Sequence, residues 1–192
     1  MRRTKQTVPY RRKRKGLTNY KKRLKLLLSN RPRLVVRRSL KNIGAQIIEY
    51  NKQGDKVLVA ANSQQLEKFG WKASKGNLPS AYLVGLLVGK LAKEKGIKEV
   101  ILDIGFNESV KGSGIYSLVK GVIDSGVNVP HNEEVFPDMK RISGEHIEKY
   151  ASLLKKDQEA YNKIFSSYLK NNVDPISIRK YFEETKNKIL GA

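Results

Sequence analysis

The first 41 residues of the chain contain 17 lysines and arginines and no aspartate or glutamate. The first acidic residue is Glu49, and residues 42–192 carry 22 basic and 18 acidic side chains, so most of the net charge of +21 lies in this basic segment. Residues 1–16 have only two lone apolar anchors, Val8 and Tyr10, and cannot build a hydrophobic core of their own. Ten of the twelve arginines lie at or before Arg38, and arginine pairs bidentately with phosphate and stacks on bases. The basic segment therefore predicts a surface that contacts a nucleic acid.

A basic N-terminus can also be a mitochondrial transit peptide, a nuclear-localisation patch or a helix on a membrane surface. Residues 1–16 show no amphipathic period and contain Pro9, which argues against a transit peptide. A nuclear-localisation patch at Arg11–Lys15 is compatible with RNA binding. The basic helix expected after Thr18 leads through Arg31–Pro32 into a strand that it can cover, which argues against a membrane surface. Nucleic acid remains the favoured partner.

The composition excludes several kinds of chemistry. The chain has no cysteine, which excludes disulfide scaffolds, cysteine zinc sites, iron–sulfur clusters and thiol catalysis. The longest apolar run, Ala81–Val88, is far shorter than the roughly 18 residues of a membrane span. The N-terminus has no apolar core of a signal peptide. We therefore expect a cytoplasmic protein with no membrane partner.

Hydropathy patterns predict an α/β fold. They indicate a mixed sheet that starts with an antiparallel three-stranded meander, is packed by helices, and carries a basic N-terminal arm and a helical C-terminal tail. Residues 1–16 form the basic arm, and an amphipathic basic helix follows a cap at Thr18 or Asn19. Strands are predicted at Arg33–Arg38, Ile43–Tyr50, Lys56–Ala61 and Glu99–Gly105.

Two buried helices are predicted after the first three strands. The first runs from Leu78 to Gly96, and its Gly85 and Gly89 are expected to let it approach the sheet closely. The second is capped by Ser113 and carries an apolar stripe. Three amphipathic helices follow after residue 143. We therefore expect three parts: 1–30 as RNA-binding arm and first helix, 31–137 as α/β core domain, and 138–192 as helical C-terminal extension.

Residues with the spacing of a catalytic site are few. His131 and His146 are the only histidines, and their separation fits no pair of metal ligands on one helix, so neither a metal nor a cofactor is expected. Asp103 ends a buried strand, where α/β enzymes place catalytic acids. An RNA-processing or RNA-modifying enzyme that uses Asp103, Glu108 and His131 is therefore the alternative function, and a basic protein–protein adaptor is a third.

One turn has the composition of a phosphate site. Lys111–Gly114 reads Lys-Gly-Ser-Gly between a strand and a helix, where glycines permit close backbone approach and the helix start offers free N–H groups. Short turns of this kind are common, so the motif is weak by itself. Tyr10 and Tyr20, inside the basic segment, are better candidates for stacking on bases than Trp71, which we expect to pin a loop to the core.

Long stretches of the chain resemble a known family, the archaeal and eukaryotic 5S-rRNA-binding ribosomal proteins of the large subunit, named L-eighteen in the universal nomenclature and L-five in eukaryotes. The resemblance extends to about Ile147 and is carried by TVPYRRKRKGLTNYKKRLKLLLSNRPRLVVRRS, AQIIEY, FGWK, NLPSAYLVGLLVGK, LDIG, KGSGIYSLVKGVIDSGV and VPHNEEVFPDMKRISGEHI. The chain is longer than the bacterial form and shorter than the eukaryotic one, which indicates an archaeal protein.

The resemblance implies a non-catalytic protein that binds 5S rRNA and anchors it in the central protuberance, with large-subunit rRNA and neighbouring ribosomal proteins as further partners. Matched to the family's RNA-binding segments are Arg11, Arg12, Lys13, Arg14, Lys15, Thr18, Asn19, Tyr20, Lys21, Lys22, Arg23, Lys25, Arg37, Arg38, Asn42, Lys111, Gly112 and Ser113. Five further RNA contacts are predicted from charge or aromatic character rather than from the resemblance: Arg2, Arg3, Lys5, Tyr10 and Lys41. Relatives often have arginine where this chain has Gly114, so only backbone contacts with phosphate are expected there.

Overall fold

The computed structural model describes residues 7–191, so the predicted RNA contacts Arg2, Arg3 and Lys5 lie outside the described residues. The strands are β1 (Arg33–Arg38), β2 (Ile43–Glu49), β3 (Lys56–Asn62) and β4 (Ile101–Asp103). The α-helices are α1 (Arg11–Arg14), α2 (Tyr20–Leu27), α3 (Leu78–Glu94), α4 (Gly114–Asp124), α5 (Met139–Ile142), α6 (Glu145–Leu154), α7 (Gln158–Ile164), α8 (Ser166–Lys170) and α9 (Ile178–Gly191). Short 3₁₀ turns lie at Gln65–Phe69, Glu133–Val135 and Pro175–Ser177.

The four strands form one mixed sheet in the order β3-β2-β1-β4. Strand β1 pairs antiparallel with β2, which pairs antiparallel with β3. Strand β4 joins the other edge of β1 in parallel, after the chain has crossed over through α3, as a parallel connection requires. The predicted α/β class and the mixed sheet are confirmed.

Strand β4 is shorter than the sequence predicts. We expected a strand over Glu99–Gly105, but the ladder with β1 covers three residues. Glu99 forms a parallel bridge with Asn128 outside this ladder, and a turn begins at Ile104, whose carbonyl oxygen accepts from the Asn107 N–H at 3.2 Å. The predicted strand is therefore too long, and of its seven residues only Val100 and Asp103 are buried while the others are partly exposed.

One face of the sheet is covered by helices. Helix α3 packs on β2 and β3, and α4 packs on α3. Side chains at alternate strand positions are buried beneath them, as the two-residue period of a strand requires. We call this the covered face; its buried side chains include Leu34, Val36, Ile43, Ala45, Ile47, Val59 and Ala61.

Glycines set the close contact between α3 and α4. A Cβ added at Gly85 would lie 2.0 Å from the Leu118 carbonyl oxygen, and one at Gly121 would lie 2.2 Å from the Tyr82 carbonyl oxygen. A Cβ at Gly89 would meet the side chain of Ser125. The expectation that Gly85 and Gly89 serve contact with the sheet is therefore wrong, because they serve contact between the two helices.

The C-terminal helices pack on the body and on one another. Helix α9 lies against α3, where the rings of Tyr82 and Phe182 are 5.6 Å apart. Phe165 is the centre of an aromatic cluster, with ring centroids of Tyr161 and Tyr168 at 5.2 and 5.8 Å. Among residues 7–191, no helix has both the length and the apolar character needed to cross a membrane.

Candidate nucleic-acid interface

The second face of the sheet is not covered by α3 or α4, and we call it the open face. Its side chains come from the strand positions that alternate with the buried ones. The strand register places them in cross-strand rows: Arg37 lies opposite Gly44, which lies opposite Asn62, and Val35, Gln46 and Ala60 form the next row. Arg33 and Ile48 are paired in a third row. The open face thus combines arginine, amide and small side chains.

Helix α2 is fastened over one end of the open face by ion pairs. Arg33 on β1 donates to Asp55 at 2.6 Å and to Asp103 at 2.8 Å, and Arg23 on α2 donates to Asp55 at 2.8 Å. The side chain of Arg33 is 5 % exposed, and a buried charge of this kind is stable only with such partners. Arg23, predicted as an RNA contact, therefore has a structural partner in Asp55.

Asp103 uses both carboxylate oxygens inside the structure. Its Oδ2 accepts from Arg33, and its Oδ1 accepts from the Gly105 N–H at 2.9 Å and from Arg37 at 3.3 Å. His131, its supposed partner in the enzyme hypothesis, contacts the Val129 carbonyl oxygen at 2.6 Å. Within residues 7–191, no three histidines or acids are grouped as metal ligands would be. The carboxylate of Asp103 is occupied in positioning arginines.

Arg37 is held at the edge of the open face. Its Nη1 donates to the Val36 and Asp103 carbonyl oxygens at 2.7 and 2.9 Å, while 53 % of its side chain remains exposed. Gly105 has φ +62°, and a Cβ there would lie 2.9 Å from the Arg37 guanidinium carbon. A glycine is therefore required for the loop after β4 to pass over this guanidinium.

The described part of the basic arm lies on the surface. All residues from 7 to 16 are exposed, and α1 is a single turn whose four residues are all basic. The arm contacts the start of α2 at two points: Arg12 Nε donates to Thr18 Oγ1 at 2.8 Å, and the rings of Tyr10 and Tyr20 are 5.2 Å apart. Both tyrosines, predicted to stack on bases, contact each other here.

The lysines of α2 lie on the surface. Asn19 caps the helix, with Oδ1 accepting from the Lys22 N–H at 3.1 Å. Lys21, Lys22 and Lys25 are exposed. The basic turn between β1 and β2 is also exposed at Arg38 and Lys41, whereas Asn42 Oδ1 accepts from Ser63 at 3.1 Å. The predicted interface therefore contains exposed cations, and its asparagines form hydrogen bonds within the protein.

The turn before α4 is fixed to a different loop. Lys111 pairs with Glu134 at 2.7 Å, and the Gly112 N–H donates to the Val135 carbonyl oxygen at 2.9 Å. Ser113 occupies the N-cap position, but its hydroxyl makes no capping hydrogen bond within the described residues. None of these three residues lines the cavities on the open face.

Several residues of this surface escape prediction from the sequence. Gly44, Gln46 and Asn62 line a depression of about 240 Å³ on the open face, and Asp55 anchors α2. The alternation of β2 predicts that Gly44 and Gln46 share one face, but it does not indicate which face the helices cover. The pairing of Asp55 with Arg33 joins residues that are distant in sequence and has no local signal.

Residues 4–97 match one family model, described as "Ribosomal large subunit proteins 60S L5, and 50S L18". The matched segment contains α1, α2, α3 and the three strands β1 to β3, and thus nearly the whole open face. The protein is therefore a ribosomal protein of the large subunit. It belongs to the family that unites the proteins 60S L5 and 50S L18. Membership implies a structural role on the ribosome, with rRNA and ribosomal proteins as partners; the resembling motifs beyond residue 97 lie outside the match.

Proposed function

We propose that this protein binds 5S rRNA and attaches it to the large subunit in the central protuberance. The observation that carries the proposal is the position of the uncovered sheet face directly beside the acid-free basic segment. Family membership supplies the ribosomal setting. The resemblance of the longer sequence motifs to 5S-rRNA-binding proteins, which extends beyond the family match, supports 5S rRNA as the ligand.

The electrostatics of the surface support binding to phosphates. The acidic side chains beside the open face, Asp55 and Asp103, are both engaged by arginines, so their charge is neutralised within the protein. The lysines of α2 and the cations of α1 are exposed and extend the same surface. Phosphate contacts of this kind set position and orientation rather than sequence.

The open face supplies groups that can distinguish RNA features. The amide of Gln46 can donate to and accept from base edges or 2′-hydroxyls. Asn62 offers only its NH₂ group, because its Oδ1 accepts from the Gln64 and Gln65 N–H groups at 3.0 and 3.2 Å. Gly44 and Ala60 keep the centre of the face low, so an RNA strand can approach the backbone. We infer that the arm and α2 hold phosphates while the open face reads RNA shape.

Three parts of the chain have different roles in this proposal. Residues 1–30 neutralise phosphates, 31–137 fix the geometry of the interface, and 138–192 form a helical extension that packs on the body through α9 and α3. The turn at Lys111–Ser113 is a second backbone contact with RNA, for which Lys111 must exchange Glu134 for a phosphate. Its exposed ion pair contributes little stability, about 0–1 kcal/mol, so this exchange opposes binding only weakly.

A competition experiment tests the ligand. Labelled 5S rRNA is bound at physiological salt and challenged with unlabelled 5S rRNA, with tRNA and with an unrelated structured RNA of equal length. We expect displacement by 5S rRNA alone, because the open face and the arm together recognise shape. Equal displacement by all three competitors would show that the charge acts generically and would remove 5S rRNA from the proposal.

A salt titration tests the arm. If about ten phosphates are neutralised, affinity should fall by roughly 10³–10⁵ between 50 and 200 mM salt. Deleting residues 1–16, which hold eight lysines and arginines, should flatten this slope while circular dichroism stays unchanged. A control that removes half as many charges, and should leave the slope unchanged, replaces four C-terminal lysines with glutamine: Lys155, Lys156, Lys163 and Lys170. A slope unaffected by the deletion would exclude the arm from the interface.

A further inference from the structure

A cavity of about 280 Å³ lies between α2 and the open face. The start of α2 and the segment before it form one wall, strands β1 and β2 form the floor, and Phe106 from the loop after β4 forms a second wall. This volume is close to the lower limit of small-ligand pockets, roughly 300 Å³. It suits one small, partly planar group and is too narrow for a double helix.

The cavity carries a net positive charge. Five cationic side chains and two carboxylates line it: Arg12, Lys22, Arg23, Arg33, Arg37, Asp55 and Asp103. Both carboxylates are already paired with arginines, while Lys22 is exposed. A ligand with at least one negative charge is therefore favoured.

One buried donor at the cavity lacks an acceptor. The Nε of Arg33 has no hydrogen-bond partner among the described residues, although its side chain is only 5 % exposed. This nitrogen is itself shielded from solvent, so the positive charge of Arg33 lies beneath the floor of the cavity and favours an anion there without donating to it.

The walls of the cavity offer a stacking surface. Phe106 lines the cavity and is 55 % exposed, so its ring is accessible to a ligand. The turn at Gly105, which passes over the Arg37 guanidinium, sets its position. Val35 and Ile48 supply apolar contact on the floor, and the amide of Gln46 lies between them and the adjacent depression. An aromatic wall, an amide and surrounding cations are what an unstacked nucleotide requires.

We propose that this cavity receives a single unstacked nucleotide of the bound RNA, with its base against Phe106 and its phosphate at the rim near Arg12 and Lys22. The inference rests on the proposed binding of 5S rRNA and deepens it, because it locates one point of contact. It also explains why α2 is fastened by the Arg23–Asp55–Arg33 ion pairs: the helix must stay at a fixed distance from the sheet to leave the cavity open.

Tryptophan fluorescence tests the proposal. The only natural tryptophan, Trp71, is fully buried and donates to the Ser74 carbonyl oxygen, so it gives a constant background. In Phe106→Trp the new indole lines the cavity. Leu190→Trp is the control, because Leu190 lies on α9, which packs against α3, is 52 % exposed and does not line the cavity. Each variant is titrated with 5S rRNA and with a fully paired RNA duplex, and binding is followed independently by RNA anisotropy.

We expect saturable quenching of Phe106→Trp by 5S rRNA, no quenching by the duplex, and no response from Leu190→Trp. Phe106→Ala should weaken binding about 5- to 150-fold, as measured for base–aromatic stacking, whereas Leu190→Ala should bind normally. The proposal that the cavity binds a nucleotide would be overturned if 5S rRNA binds Phe106→Trp with normal anisotropy but does not quench its fluorescence. Equal quenching of both tryptophan variants would overturn it as well. Failure of the wild-type protein to bind 5S rRNA would instead overturn the proposed function.

Discussion

The two faces of the sheet are built from the same strands and differ in burial and in the polarity of their side chains. On the covered face, Leu34, Val36 and Ile47 are completely buried under α3 and α4. On the open face, their sequence neighbours Val35, Arg37 and Gln46 line cavities and reach solvent. Because strand side chains alternate, adjacent residues serve folding and binding separately. Substitutions at alternating positions should therefore separate stability from RNA affinity.

The ion-pair network is the exception to this division. Arg33, Asp55 and Asp103 belong to the open side of the sheet, yet Arg33 is as buried as a core residue. The network replaces apolar packing at this end of the sheet and keeps α2 in place. It therefore contributes to the fold on the face that we assign to binding.

The largest expected effect comes from a glycine of the covered side. Gly85→Ala should lower the free energy of unfolding by about 3 kcal/mol, the upper part of the overpacking range, because its Cβ would overlap the Leu118 carbonyl oxygen. Gly44→Ala is the control on the open face, since its Cβ would lie 3.6 Å from the nearest atoms and should change stability by less than about 0.5 kcal/mol. Urea denaturation measures both, and equal losses would break the comparison of the two faces.

The second prediction concerns the ion-pair network. Asp103→Asn keeps the shape of the side chain but removes the charge facing Arg33 and Arg37, so we expect a loss of roughly 2–3 kcal/mol of stability, the range of hydrogen bonds to charged groups. Glu134→Gln is the control, because its pair with Lys111 is 69 % exposed on both sides and should contribute less than about 1 kcal/mol. Urea titrations of both variants provide the measurement. Equal stability of Asp103→Asn and wild type would contradict a structural role for this carboxylate.

The sequence predicts the α/β class, the mixed sheet and the position of the basic segment, because these depend on local periodicity and local charge. It does not predict that the strand ending at Asp103 has only three paired residues, since burial and strand pairing give the same apolar run. Nor does it assign Gly85 to the α3–α4 contact. A glycine indicates that another element approaches the helix closely, but it does not indicate which element that is. The Arg23–Asp55 pair depends on how α2 docks, which no local pattern encodes.

A third prediction adds bulk to the open face without disturbing the covered one. Gly44→Leu should place a side chain between Arg37 and Asn62, in the depression where RNA is proposed to approach. We expect about a tenfold loss of affinity for 5S rRNA, equivalent to about 1.4 kcal/mol, with an unchanged unfolding transition. Filter binding at constant salt provides the measurement. Gly191→Leu, at the end of α9 where an added Cβ meets nothing within 4 Å, is the control, and normal RNA affinity of Gly44→Leu would remove the open face from the interface.

The smallest expected effect belongs to α3 on the covered side and depends on pH. Tyr82 donates to Asp124 at 2.8 Å, and burial, followed by this hydrogen bond and the charge of Asp124, raises the pKa of its phenol well above the ordinary value. The stability that this group contributes is therefore complete below about pH 10, the pKa in the unfolded chain, and is lost as the pH rises further. Tyr82→Phe should cost about 1 kcal/mol at pH 8.

The difference between Tyr82→Phe and wild type should shrink in urea titrations at pH 10 and 11, because the wild type loses the contribution that the variant lacks. Tyr50→Phe, at an exposed position after β2, is the control and should match the wild type at pH 8. A difference between Tyr82→Phe and wild type that stays constant with pH would show that folding does not raise the pKa of this phenol. Tyr82 would then contribute no charge-dependent stability to the covered side, and the contrast with the ion pairs of the open face would be sharper still.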